Sequence, residues 1–290
     1  MSAWSEIVQV SLAGLTNGSI YALVALGFSL IFAVSGYLSL VQGEYVVLGG
    51  LVTIALTERN HVPLIAAILA AVLVCCAFGY AVQKLSLSPA RGLSPDAALI
   101  VTLGAAFIAR GGAMVVFGKQ PHALASFSGE RPVRWGDVVV DTQSFWILGT
   151  LIIAFGALWL FFNKTYTGKA MRACAQNPTG ARLVGIDPKR MAMVTFVTSA
   201  LLGGIAGVVV APLNFVTYDE GLGISIKGFI AAIFGGLGSY PGAVLGGLIL
   251  GLGESTGAAY LSSQYKDAIA FVGLLIVLLI RPNGLLGARR

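Results

Sequence analysis

Histidine and cysteine are nearly missing from this chain: 290 residues contain two of the first, His61 and His122, and three of the second. Cys75 and Cys76 sit side by side in an apolar run and Cys174 lies far away, so the sequence has neither a metal-ligand spacing nor a disulfide framework. An intramembrane enzyme needs a nucleophile beside a base, or a histidine and carboxylate cluster. The two histidines fall in separate loops with no such neighbours, so neither catalysis nor a bound metal or other cofactor is expected. Charge is equally scarce. Charged residues make up 10% of the chain, where a soluble domain carries roughly a quarter.

Two nucleotide-binding patterns are also missing. Gly118-Lys119 and Gly168-Lys169 lack the partner glycine and the hydroxyl residue of a phosphate loop. The cluster Gly236, Gly238 and Gly242 has the wrong last spacing for a dinucleotide fingerprint, and no βαβ pattern surrounds it. The chain therefore does not hydrolyse nucleotide through either motif. Its net charge of +6 comes from basic residues spread over short loops. That distribution sets membrane topology and does not point to nucleic acid.

Apolar sequence is abundant: 57% of residues are hydrophobic, and mean hydropathy is +0.88. Apolar runs recur along the whole length, and no polar stretch is long enough for a soluble domain. Residues 1–290 therefore read as a single, all-α, polytopic membrane domain. A crossing helix needs about 20 apolar residues. Candidate runs are Val10–Val34, Val41–Leu56, Pro63–Gln83, Ala97–Phe117, Phe145–Phe162, Met191–Leu213, Ile224–Gly253 and Ala268–Ile280. The first is expected to stay as a span, because no small-residue cleavage site follows a basic start.

Residues 163–190 hold Lys164, Lys169, Arg172, Arg182, Lys189 and Arg190 against one acid, Asp187, which places this segment in the cytoplasm. Counting spans backwards puts Lys84 and Arg91 inside and the N-terminus outside. Counting forwards leaves Arg281, Arg289 and Arg290 on the wrong side unless the run Ile224–Gly253 is divided. As one helix that run would be roughly 45 Å long at 1.5 Å per residue. The stretch Gly238-Ser239-Tyr240-Pro241-Gly242 supplies a break, since Pro241 lacks an N–H and restricts the residue before it. The division gives 8 to 9 segments, some broken or re-entrant, and a cytoplasmic C-terminus. The strings VLGGLV (Val47–Val52) and VLGGLI (Val244–Ile249) each follow a break, at Gln42-Gly43-Glu44 and at Tyr240-Pro241-Gly242, as an internal repeat would require.

Gly14/Gly18, Gly203/Gly207, Gly242/Gly246 and Gly247/Gly251 have the four-residue spacing that puts small residues on one helix face, the pattern of close helix packing in membranes. Charged residues within spans need partners or a water-filled path. Glu44 suits either the positive end of a short helix or the solute path. Arg110 is expected to pair within the bundle or reach outward, and Lys227 and Glu254 to reach the interface from span ends. In Met171–Met191, Asn177 and Pro178 read as the cap and first residue of a short helix that Gly185-Ile186-Asp187-Pro188 ends. That segment suits either a solvated loop or a docking surface.

Three stretches carry a resemblance: Gly14–Gly50, Arg172–Asp187 and Ala231–Glu254, read in order across nearly the whole chain. They resemble the LivH-type permeases of branched-chain amino-acid ABC importers. The family usually carries Phe-Ala-His-Gly-Glu where this chain has Leu40-Val41-Gln42-Gly43-Glu44, so Gly43 and Glu44 are kept and the histidine is Gln42. The resemblance implies an alternating-access importer in a bacterial inner membrane. It also implies two ABC ATPase subunits, a similar second permease and an extracytoplasmic solute-binding protein as partners. It makes the loop a coupling element with Arg172, Gln176, Asn177, Gly185 and Ile186 at the ATPase. Candidates for the path are Asn17, Ser19, Tyr21, Gln42, Gly43, Glu44, Ser239, Tyr240, Pro241 and Gly242. Branched-chain amino acids and other small polar solutes remain open as substrates, and an ion-coupled secondary transporter and a membrane scaffold stand as alternatives. Tyr218 and Trp135 suit an interfacial belt, loop packing or contact with the binding protein.

Overall fold

The computed structural model describes residues 3–88, 94–129, 132–135, 138–260, 262, 264 and 266–287. Arg91, Arg289 and Arg290 lie outside the described residues, as does the Trp135 side chain. The helices are α1 (Ala3–Ser35), α2 (Gln42–Ile54), α3 (Leu64–Ala81), α4 (Pro95–Phe117), α5 (Thr142–Lys164), α6 (Tyr166–Gln176), α7 (Pro178–Leu183), α8 (Pro188–Val210), α9 (Gly221–Gly235), α10 (Tyr240–Tyr260) and α11 (Lys266–Ile280). Wider π-type turns extend α2 through Ala55–Arg59 and α3 through Val82–Leu87. A small antiparallel hairpin, β1 (Val133–Trp135) and β2 (Val138–Val140), precedes α5.

Among the described residues, six helices are long and apolar enough to cross a membrane: α1, α3 with its extension, α4, α5, α8 and α10. With the shorter α2, α9 and α11 they form the all-α polytopic bundle that the apolar runs predict. The long run after Ile224 is divided as expected, between Gly235 and Tyr240. Two details differ. Tyr240-Pro241-Gly242 belongs to the first turn of α10, and that helix, at 21 residues, is a full span rather than a short segment. Gln42-Gly43-Glu44 likewise opens α2, and the preceding break is Gly36–Val41. Proline at the second position of a helix loses no intrahelical bond, which is why Pro241 starts the helix and does not interrupt it.

Close glycine contacts set the packing. Gly14 and Gly18 of α1 meet Gly251 and Gly247 of α10, so these two backbones approach each other directly. Gly203 and Gly207 of α8 receive Tyr45 and Val46 of α2, and Gly242 and Gly246 meet Gly235 and Ala231 of α9. All four glycine pairs picked out by spacing therefore lie at helix crossings. Small residues are needed there because lipid gives helices little apolar drive to associate, leaving close van der Waals contact to hold them.

The hairpin end and the loop-helix end of the bundle differ. At the first, His122 and Val216 exchange backbone hydrogen bonds (3.1 and 2.7 Å), and the Trp146 indole donates to Ser128 Oγ at 2.8 Å. At the second, α6 lies across a cleft from the C-terminal segment, which folds back on α9. There the Leu285 and Leu286 amides each donate at 2.9 Å, to the Phe234 and Gly235 carbonyls. These bonds satisfy carbonyls that a helix end leaves free.

Candidate functional site

α2 begins inside the bundle. Gln42 contacts the α1 backbone at Gly27, eight residues before α1 ends at Ser35, or about 12 Å along the axis at 1.5 Å per residue. A helix N-terminus buried at that depth leaves N–H groups that lipid cannot satisfy. No side chain of α2 caps it. Ser225 of α9 does so from outside, accepting from the Gly43 amide at 2.8 Å and donating to the Leu40 carbonyl at 2.8 Å. Gln42 is fully buried. Its amide donates to the Ser199 carbonyl (3.2 Å) and its Oε1 accepts from the Ser199 hydroxyl (2.6 Å), which also lies 3.0 Å from the Gly27 carbonyl. A methyl at Gly27 would overlap the Gln42 amide, and one at Gly43 would overlap the Gly221 carbonyl.

Beside this cap the buried Glu44 carboxylate lies 3.6 Å from Arg110 Nη2, and the same guanidinium nitrogen donates to the Asp219 carbonyl at 2.9 Å. Arg110 therefore pairs within the bundle, one of its two expected fates. It joins α2, α4 and the segment before α9.

Glu254 does not extend toward an interface, whereas Lys227 stays partly exposed. Glu254 is 0% exposed, accepts from the Tyr21 hydroxyl at 2.7 Å and lies 3.2 Å from Lys227 Nζ, which also reaches Asp267 at 2.9 Å. Four helices, α1, α9, α10 and α11, meet in this network. Burial explains the difference: a carboxylate that packing holds away from water is stabilised by an ammonium group and a hydroxyl donor. The sequence shows each residue but not that helix packing joins positions 233 residues apart.

Two clefts flank the packed centre of α1. One, of about 240 Å³ at the hairpin end, lies between α1, β2 and the start of α5, and Gln9, Thr16, Asn17, Asp141 and Ser144 supply its polar lining. The other, about 660 Å³ at the loop-helix end, is lined by Phe32, Arg172, Gln176, Ser239, Tyr240 and Asn283 among others. Of the candidate path residues, Asn17 lies in the first cleft and Ser239 and Tyr240 in the second. Pro241 lines an adjoining apolar pocket with Phe162, whose ring stacks on Tyr240 at 4.6 Å. Ser19 is buried and donates to the Leu15 carbonyl, while Tyr21, Gln42, Gly43 and Glu44 form the contacts above and Gly242 packs on Gly235. From Ile20 to Leu30 most of α1 is buried.

The loop helices are well ordered by local bonds. Asn177 caps α7, accepting from the Gly180 amide at 2.9 Å, and Pro178 is its first residue. Gly185 has φ +83°, a conformation glycine adopts without strain, and the Ile186 and Gly185 amides donate to the Ala181 and Arg182 carbonyls at 2.9 and 3.0 Å. Asp187 then caps α8. Arg172 turns back onto the end of α5, donating to the Phe162 carbonyl and, at 2.8 Å, to Asn163 Oδ1. Leu183 and Val184, 86% and 74% exposed, project from the ordered turn together with the exposed Gln176.

A bundle of membrane helices with broken segments, clefts at both ends and an ordered pair of loop helices suits a solute permease. Residues 10–278 match the family described as branched-chain amino acid transport system / permease component, and the chain belongs to that family. It is 34% identical over 296 residues to the high-affinity branched-chain amino acid transport system permease protein BraD of Pseudomonas aeruginosa, covering 97% of this chain and 95% of that protein. The corresponding LivH of Escherichia coli is 31% identical over 293 residues with the same coverage, and the E. coli ribose import permease protein RbsC is 27% identical, covering 92% and 83%. The solved PsaBC from Streptococcus pneumoniae in complex with Fab shares the fold, with TM-score 0.50 and 14% identity over 93% of this chain and 91% of that one. The chain is thus a multi-pass membrane permease component.

Proposed function

We propose that this permease forms part of the translocation path of an ATP-driven ABC importer for branched-chain amino acids or a related small polar solute. The hairpin end faces outward with the N-terminus, and the loop-helix end faces the cytoplasm with the C-terminus, as the basic loop requires. Asn17 and Ser239-Tyr240-Pro241 mark the two mouths. The packed layer of Ser19, Tyr21, Gln42, Gly43, Glu44 and Gly242 closes the path between them, and alternating access opens it to one side at a time. Two ATPase subunits, a second permease and an extracytoplasmic solute-binding protein complete the assembly. ATP is hydrolysed on the ATPases.

The observation that carries this reading is the pair Leu183 and Val184, two large apolar side chains held out by a capped helix and a bonded turn. An ordered exposed apolar tip marks a protein contact. Gln176, Asn177, Gly185 and Ile186 shape that tip, and Arg172 ties it to α5, so motion of an ATPase reaches the membrane helices.

The test is affinity purification of the tagged chain from its own membranes, alongside Leu183→Asp. ATPase subunits are expected with the native chain and should be lost from the variant, whose changed residue has little packing to disrupt. A folded native chain that recovers no ATPase and transports on an ion gradient alone would overturn the proposal in favour of a secondary transporter.

A further inference from the structure

The outer cleft has one-sided chemistry. On α1 the positions 9, 13, 16 and 17 share a face, and there Gln9, Thr16 and Asn17 line the cleft together with Asp141 and Ser144 of the α5 entry. Gln9 Oε1 is buried without a hydrogen-bond partner. The Thr16 hydroxyl already gives its proton to the Leu12 carbonyl at 2.9 Å, leaving its lone pairs available. Asp141 also borders a second, wider opening with Ser126 and Pro132. Among the described residues, no lysine or arginine lines either space.

We infer that this cleft receives the protonated amine end of an amino-acid-like solute, with Asp141 as the charge partner and Gln9 Oε1 and Asn17 as acceptors. The idea rests on the permease reading above and adds the orientation of the solute. An ammonium group has three donors and no acceptor, and the Gln9, Thr16, Asn17 and Ser144 oxygens and the Asp141 carboxylate among the lining residues can all accept from it. A solute carboxylate would meet no cation among the described lining residues and would approach Asp141 at a Coulombic cost. The carboxylate end of a zwitterion is therefore held by another subunit of the importer, and the amine enters this chain first.

Charge-selective labelling of Ala13→Cys tests this in the full importer in membranes, with the native chain as the blank for its own cysteines. Ala13 lines the cleft and supplies no acceptor. Two methanethiosulfonates of similar size, one trimethylammonium and one sulfonate, are applied from outside, and their rate ratio is divided by that for a free thiol. The expected corrected preference for the cationic reagent is about tenfold, at the lower end of what charge focusing in a cleft produces. It should fall close to unity with Asp141→Asn, which keeps the α5 cap that Asp141 makes by accepting from the Gln143 amide. Isobutylammonium should slow labelling and isobutyrate should not. Equal corrected rates, or protection by isobutyrate, would overturn the inference while leaving the permease reading intact. No labelling at Ala13→Cys, in a folded complex where Ser126→Cys reacts, would show that the cleft does not open outward and would overturn the outward orientation and the inference together.

Discussion

Lys227 Nζ lies 3.2 Å from Glu254 Oε1, and the carboxylate it meets is wholly buried in the helix bundle. The lysine side chain, 23% exposed, also reaches Asp267, so it ties α9 to both α10 and α11. Lys227→Met should destabilise the protein by about 3 kcal/mol, the low end for breaking a buried pair, because it strands the Glu254 charge. Adding Glu254→Gln should recover part of the loss, since an amide still accepts from the Tyr21 hydroxyl. Thermal unfolding in detergent of the two single variants and the double variant gives the coupling energy. Additive losses would deny the pairing.

Ser225 caps α2 from a different helix. Ser225→Ala removes both the acceptor for the Gly43 amide and the donor to Leu40, and should cost about 1–3 kcal/mol through the buried groups left behind. Proteolysis of the variant should begin near residues 36–44. A variant as resistant as the native chain would show that water or another group replaces the hydroxyl.

Glycines in this chain should divide sharply under alanine substitution. Gly43→Ala drives a methyl into the Gly221 carbonyl and should prevent normal assembly of α2 with α9. Gly104→Ala, in α4, meets open space and should be neutral or stabilising by up to about 1 kcal/mol from helix propensity. Monodispersity on gel filtration after mild heating separates the two. Similar behaviour of both variants would contradict the packing described above.

Cys174 on α6 is buried, and burial pushes its thiol above the usual range, with Asp187 adding to the rise and Arg182 opposing it. A raised value means less thiolate at neutral pH, and the thiolate is the nucleophile. Maleimide labelling at Cys174 in native membranes should thus be slow at pH 7 and accelerate as pH rises through 9. Fast labelling at pH 7 would mean that α6 and α7 separate from the bundle much of the time.

The break before α10 and the cap and turn of α7 were legible because local chemistry controls them. Proline, asparagine and glycine restrict or bond to their own neighbours, so the signal lies within a few residues. Ser225, Ser199 and Gly27 gave no such signal. A serine or glycine in an apolar helix reads as packing until a partner is known, and each partner here comes from a distant segment. Gln9, Thr16 and Asp141 were missed for the same reason, since the cleft exists only where α1 passes the hairpin and α5. The placement of Glu254 near a span end misled because distance from a helix end does not report burial by neighbouring helices.

By itself the sequence determined the solvent, the helical class, the family and the local punctuation of the chain. Bilayer burial forces backbone bonds into helices, and three stretches of matching residues identify the permease. Tertiary structure decided which polar groups meet: the Ser225 cap on α2, the Tyr21, Glu254, Lys227 and Asp267 network, and the acceptor-lined cleft beside Asp141. Those contacts join residues far apart in the chain, and only the close approach of helix backbones at small residues brings them within hydrogen-bonding distance.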